Sequence, residues 1–64
     1  MKVRDVIKRL LDDDWYQDSQ KGSHRHFKHP SKPGKVTVPG KMSDDVPEGT
    51  LKSIWKQSGL GENS

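Results

Sequence analysis

The sequence contains no cysteine. This excludes disulfide bonds, thiol nucleophiles and the zinc sites that are built on cysteine, and it fits a reducing cytosol. No apolar run approaches the ~18 residues needed to cross a bilayer, and no charged-then-apolar leader precedes a cleavage site. We therefore expect a cytoplasmic protein that does not associate with a membrane.

Apolar residues are also scarce. They make up 27% of the 64 residues, whereas about 45–50% is typical, and a chain of this length buries only about 60% of its unfolded surface. We expect a single domain over residues 1–60, with a disordered tail at 61–64. A core this small predicts that oligomerisation or a partner protein supplements its stability.

Acidic residues are missing from the middle of the chain. Between Ser19 and Ser43 there is no Asp or Glu, while the same stretch carries Lys21, Arg25, Lys28, Lys32, Lys35 and Lys41. The whole chain has a formal net charge of +3 and a sequence pI near 9.4. Clustered positive charge without an accompanying hydrophobic face indicates an anionic partner, nucleic acid before membrane.

All three histidines fall inside this basic stretch, in the segment Lys-Gly-Ser-His-Arg-His-Phe-Lys-His at 21–29. Histidine both accepts and donates a proton near neutral pH, and basic neighbours attract a polyanion to it. The combination predicts phosphodiester chemistry at this segment.

Hydrophobic periodicity predicts two helices. Val3, Val6, Ile7, Leu10 and Leu11 follow helical spacing, which predicts a first helix over Lys2–Asp13. A second helix is predicted around Leu51, Ile54 and Trp55, capped by Asp45 or Thr50 and stopped at Gly59.

Turn signals and β-branched residues predict three strands between the helices. The first opens with Trp15 and Tyr16 and runs to Gln20, turns at Lys21-Gly22, and leads into a second strand over Ser23–His29. A third strand is predicted at Lys35–Val38. The predicted fold is α+β, in the order α-β-β-β-α, with a three-stranded antiparallel sheet and both helices on one face.

Strand alternation then predicts which side chains face away from the helices. If Phe27 points to the core, Ser23, Arg25 and His29 share its side, while His24, His26 and Lys28 face outward. Trp15 and Trp55 are assigned to packing.

Four segments carry a resemblance to a known family: Gln20 to His24, Phe27 to Pro30, Gly34 to Pro39, and Gly49 to Ile54. In this order and spacing the chain resembles, over nearly its whole length, the HicA family of small bacterial toxins. That resemblance implies a messenger-RNA interferase with a double-stranded-RNA-binding-domain-like fold, whose activity depends on the histidine of Gly-Ser-His, here His24. It also implies a HicB-like antitoxin that covers the active face.

The chain departs from the commonest family pattern before and within the first strand. A glycine is frequent where Asp14 stands, apolar residues at Gln17 and Asp18, and an arginine at Ser19. The first strand is therefore more polar than the resemblance implies, and we expect less of it to be buried.

Together these features predict an endoribonuclease that needs no metal or other cofactor and binds no small-molecule ligand. His24 takes the proton of a ribose 2′-OH, and the predicted RNA-binding residues are Lys21, Ser23, Arg25, His26, Lys28 and Lys35. The proton donor to the leaving oxygen stays open between His26 and a lysine.

Three alternatives remain at this point. The same basic face is also consistent with a non-catalytic RNA-binding module, or with an interaction protein that meets an acidic partner. The third alternative is a metal cluster of His24, His26 and His29.

Overall fold

The computed structural model describes residues 1–60. Its elements in chain order are helix α1 (Val3–Asp12), strands β1 (Tyr16–Lys21), β2 (His24–Lys28) and β3 (Val36–Val38), and helix α2 (Glu48–Ser58). The strands form one antiparallel sheet in the order β1-β2-β3. This confirms the predicted α-β-β-β-α fold, which is consistent with a double-stranded-RNA-binding-domain-like architecture. The tail predicted at 61–64 lies outside the described residues.

The hydrophobic core lies between the two helices and one face of the sheet. The sheet contributes Phe27, Val36 and Val38, and the complete set of buried hydrophobic residues is Val3, Val6, Ile7, Leu10, Trp15, Phe27, Val36, Val38, Val46, Ile54 and Trp55. Both tryptophans are buried, as predicted. The guanidinium of Arg9 lies 5.3 Å from the ring centre of Trp55 and so links α1 to α2. Within residues 1–60, neither helix has the length and apolar character needed to span a membrane.

Helix α1 ends in a Schellman motif. The N–H of Trp15 donates to the carbonyl of Leu10, and the N–H of Asp14 donates to the carbonyl of Leu11, both at 3.0 Å. Asp14 adopts φ +72° and is, among residues 1–60, the only non-glycine residue with a positive φ. The motif usually places glycine at this position. It reverses the chain and directs Trp15 into the core.

The start of α1 is satisfied by backbone rather than by a side chain. Its first amides, those of Val3 and Arg4, donate to the carbonyls of Asp44 and Met42. Lys2 also forms an isolated antiparallel bridge with Asp45. The segment before α2 therefore fills the capping role that a Ser, Thr or Asp side chain usually plays.

The predicted cap of α2 was wrong. Asp45 is held in the bridge to Lys2, and Thr50 lies inside the helix, which begins at Glu48 with Pro47 as its N-cap and no side-chain cap bond. Proline already has the fixed φ that a helix start needs. The predicted stop is confirmed, since Gly59 follows the helix with φ +74°.

The β1–β2 hairpin turns one residue later than predicted. Lys21 is still in the strand and pairs with His24, so the loop is Gly22-Ser23. Gly22 has φ +59°, which suits the first central position of a type II′ turn. The register of β1 against β2 shifts between Gln17 and Ser19, so Asp18 is the extra residue of a β-bulge. Every residue of β1 is exposed, as the polar sequence of this strand suggested.

Candidate functional site

Strand β2 presents alternate side chains to opposite faces of the sheet. Phe27 pairs with Val36 and points to the helices, whereas His26 pairs with Thr37, His24 with Lys21, and Lys28 with Tyr16. Since cross-strand partners share a face, one set of side chains lies opposite the helices. We call this surface the outer face; it comprises Tyr16, Ser19, Lys21, His24, His26, Lys28 and Thr37. The predicted outward direction of His24, His26 and Lys28 agrees with this register.

His24 opens β2 directly after the Gly22-Ser23 turn, and its side chain is exposed. Within residues 1–60 it makes no hydrogen bond to another protein group, so both ring nitrogens are open to a ligand. The turn holds the backbone while the ring stays free. An imidazole in this setting is able to accept a proton from a bound hydroxyl.

His26 lies two residues further along the same face and is half-buried. Its Nδ1 is 2.9 Å from the hydroxyl oxygen of Thr37 on β3. The hydroxyl therefore fixes one ring nitrogen and leaves Nε2 as the nitrogen available to a ligand. Sequence reasoning missed Thr37, although the alternation of Val36, Thr37 and Val38 already placed it on the outer face.

His29 has a different role, because both of its ring nitrogens are used inside the protein. Nδ1 accepts the backbone N–H groups of Ser31 and Lys32, each at 3.0 Å. Nε2 must then carry the proton, which it donates to the carbonyl of Asp13 at 2.6 Å. The ring also meets Trp15 edge-on, with centroids 5.2 Å apart. His29 thus joins the end of β2 to the end of α1.

This arrangement removes the support for a three-histidine metal cluster. His29 has no lone pair left for a metal, and it is bonded to the end of α1 rather than sharing the outer face. No group of three or more His, Cys, Asp or Glu side chains suited to holding a metal ion occurs among residues 1–60.

Exposed lysines surround the two outer histidines. Lys21 and Lys28 lie on the outer face, and Lys35 is exposed immediately before β3. Lys28 has an acidic neighbour, with its Nζ 3.8 Å from a carboxylate oxygen of Asp18. Sequence reasoning missed this pair because Asp18 lies just outside the acid-free stretch, and only the bulge and the register bring it to Lys28.

Arg25 and Ser23, which were predicted to bind RNA, occupy different positions. Ser23 is exposed in the turn beside His24. Arg25 pairs with Val38 and is half-buried on the helix side of the sheet, where its Nη1 donates to the carbonyl of Gly40 at 2.8 Å. The structure therefore separates Arg25 from the outer face and uses its guanidinium to hold the loop after β3.

Tyr16 is the aromatic residue of the outer face. It is 47% exposed and lies across from Lys28. An exposed ring beside basic side chains suits stacking against a nucleobase. Its exposure could not be read from the sequence, because aromatic residues at a strand start are commonly buried.

A second charged cluster lies behind the sheet and serves the fold. The Asp13 carboxylate accepts hydrogen bonds from Lys32 Nζ and from the Trp15 indole, while Lys32 also donates to the carbonyl of Ser58. The hydrogen bond and the positive charge of Lys32, helped by the Trp15 indole, hold the pKa of Asp13 below its ordinary value. This cluster joins the ends of α1 and α2 to the loop after β2.

A family model described as the HicA toxin of bacterial toxin-antitoxin systems matches residues 3–60. No individual curated protein matches the chain.

Proposed function

The chain belongs to the HicA toxin family of bacterial toxin-antitoxin systems, and on that premise we propose that it is a toxin that cleaves messenger RNA on its outer face. The observation that carries this proposal is the position of His24. Its imidazole is exposed, has no hydrogen-bond partner within residues 1–60, and lies across from Lys21 on a face that also carries Lys28. The sheet thus presents a proton acceptor beside fixed positive charge.

The proposed reaction uses the RNA as its own nucleophile. His24 takes the proton of a 2′-OH, the 2′-oxygen attacks the adjacent phosphorus, and the bond from phosphorus to the 5′-oxygen breaks. The products are a 2′,3′-cyclic phosphate and a 5′-hydroxyl. General-base help of this kind contributes about 10²–10⁴-fold. DNA lacks the 2′-OH, so the same face binds DNA without cutting it.

Charge and stacking hold the substrate in this proposal. Lys21, Lys28 and Lys35 contact phosphates, where charges of this type also stabilise the developing negative charge of the transition state. Ser23, which is exposed in the turn next to His24, donates a hydrogen bond to a phosphate in this proposal, and Tyr16 stacks on a base. We assign no phosphate to Arg25, because its guanidinium is engaged by Gly40.

A toxin of this family implies a paired antitoxin. We propose a HicB-like partner that covers the outer face and meets its lysines with acidic side chains, because this face carries clustered positive charge around the exposed His24. Covering the face would block RNA and neutralise the charge at once. Supplying the partner should restore growth to cells that express the chain alone.

The direct test is incubation of the purified chain with labelled RNA, and with DNA of the same sequence, in the presence of a chelator. We expect fragments from RNA alone. The His24→Ala variant should lose cleavage while binding RNA with nearly the same affinity, and its circular dichroism should match that of the wild type, since His24 contributes nothing to the core. Lys52→Ala, an exposed change on α2 away from the outer face, serves as the control that keeps cleavage.

Three results would overturn the proposal. The first is a His24→Ala variant that still cuts RNA at the wild-type rate. The second is a wild-type chain that binds RNA in a salt-dependent manner and leaves it whole, which would identify a non-catalytic RNA-binding module. The third is a chain that neither binds nor cuts RNA, which would indicate an interaction protein with an acidic partner.

A further inference from the structure

The cleavage proposed above needs a second proton transfer, because the departing 5′-oxygen must be protonated. From the geometry of the outer face we infer that His26 is the group that donates this proton and that Thr37 is the positioning residue that holds its ring. The inference rests on the proposed function and adds the proton donor to it.

Spacing along β2 supports a shared role for the two exposed histidines. His24 and His26 are alternate residues of one strand, so their backbones lie about 6.6 Å apart, twice the ~3.3 Å rise per residue. In an in-line displacement the attacking and leaving oxygens lie on opposite sides of one phosphorus. Two imidazoles at this spacing can each reach one of those oxygens through hydrogen bonds of about 2.8 Å. Lys28, one further step along the strand, lies about 13 Å from His24.

The contact with Thr37 suits a ring that changes its protonation state. With Nδ1–H donated to the Thr37 hydroxyl oxygen, which lies 2.9 Å away, Nε2 is able to lose and regain a proton while that bond stays intact. A hydroxyl accepts as well as donates, so either state of the ring is satisfied. His29 lacks this freedom, because two backbone N–H groups occupy its Nδ1.

The surroundings of His26 come from all three strands. Its own strand contributes His24 and Lys28, β1 contributes Ser19 directly opposite, with Lys21 and Asp18 nearby, and β3 contributes Thr37. Asp18 is paired with Lys28 rather than with His26. No carboxylate therefore contacts the His26 ring among residues 1–60, and its Nε2 is the ring nitrogen left for the RNA that is proposed to bind there.

The complete step balances without another reactant. The 2′-OH proton moves to His24 as the 2′-oxygen bonds to phosphorus. The bond from phosphorus to the 5′-oxygen breaks, its electron pair stays on that oxygen, and the Nε2 proton of His26 moves to it. His24 ends protonated and His26 neutral, and exchange of protons with water restores both.

The test compares two substrates that differ in their need for an acid. RNA has a poor alkoxide leaving group, whereas uridine 3′-(4-nitrophenyl phosphate) releases a stable nitrophenolate and needs little protonation. For His26→Ala we expect a loss of about 10²–10⁴-fold on RNA and a far smaller loss on the nitrophenyl ester. His24→Ala should lose both activities, because both substrates need the 2′-OH proton removed.

The pH dependence and Thr37 provide an independent readout. The wild type should give a bell-shaped profile of kcat/KM on RNA, and His26→Ala should remove its alkaline limb. Thr37→Val, which keeps the shape and removes the hydroxyl, should lower kcat on RNA far more than on the nitrophenyl ester, while Thr37→Ser should restore it. A merely structural role for Thr37 would lower both rates equally.

The outcomes separate this inference from the function on which it rests. If His26→Ala cuts both substrates as fast as the wild type, or loses both equally while remaining folded by circular dichroism, the inference is wrong and the nuclease stands. If the wild type cuts neither substrate, or His24→Ala cuts both, the proposed function itself fails.

Discussion

Replacing Asp14 by glycine should make the protein more stable. Asp14 occupies the left-handed position of the Schellman motif with φ +72°. The left-handed conformation costs a residue with a Cβ about 1–2 kcal/mol. The cost for Asp is lower than for most residues, because its side chain hydrogen-bonds locally. Glycine adopts the conformation freely but loses roughly 0.5–1 kcal/mol through its more flexible unfolded state. The backbone contribution alone is therefore a small gain.

Removing the negative charge of Asp14 should also stabilise the protein. Asp14 follows the last turn of α1, close to Asp12 and Asp13, at the negative end of the helix dipole. Removing one carboxylate there recovers about 0.3–1 kcal/mol. The two effects together predict that Asp14→Gly raises the free energy of unfolding by about 1 kcal/mol, and a domain of this size gains about 4–8 °C in Tm for each such increment.

Thermal and urea unfolding of three variants, followed by circular dichroism, separates the backbone effect from the charge effect. Asp14→Asn removes the charge and keeps a side chain that tolerates the left-handed region, whereas Asp14→Ala removes the charge and tolerates it poorly. The expected order of stability is Gly, then Asn, then Ala. An alanine variant as stable as the glycine variant would refute the backbone part of this reasoning. A glycine variant no more stable than the wild type would refute all of it.

Three further outcomes follow from the described contacts. Asp18→Asn should tighten RNA binding by up to about fivefold at low salt, because it frees Lys28 from an exposed ion pair worth about 0–1 kcal/mol; unchanged affinity in a filter-binding titration would contradict this. Lys28→Ala should reduce the slope of log K against log salt by about 0.7, the value for one contact to single-stranded nucleic acid, whereas Lys52→Ala should leave the slope unchanged. Asp13→Asn should make the free energy of unfolding fall less steeply as the pH is lowered. The pKa of Asp13 is lowered in the folded state by its hydrogen bond from Lys32. The ionised carboxylate therefore stabilises the fold fully above the pKa of the unfolded state, about 3.9. This stabilisation is lost as the pH falls through the pKa of the folded state. If urea midpoints of wild type and variant fall in parallel below about pH 4, this assignment is wrong.

Much of the fold follows from local sequence signals. The helical spacing from Val3 to Leu10 predicted α1, Gly59 marked the end of α2, and strand alternation around Phe27 placed His24 and His26 on one face. Each of these features is determined by residues close together in the sequence, either by the periodic spacing of apolar side chains or by a glycine. They also predicted that His24 and His26 point away from the helices, and the candidate site depends on that direction.

Most of the features that sequence reasoning missed depend on contacts between separate segments. The cap of α1 comes from the carbonyls of Met42 and Asp44, and the bond between Lys32 and Ser58 joins the loop before β3 to the last residue of α2. The Asp18 bulge exists only in the pairing of β1 with β2. No local sequence pattern predicts such contacts, because their partners come together only in the folded chain. For the same reason His29 and Thr37 were recognised as structural and positioning residues only from geometry.

The alternation along β2 also has a practical consequence. Phe27 anchors the core from one side of the strand, while His24 is exposed on the other, so a substitution at His24 removes no buried contact. If His24 acts as proposed, changing that single side chain removes the toxicity and keeps the native shape. Such a chain could then be produced in growing cells without an antitoxin and used as bait to isolate the proposed partner.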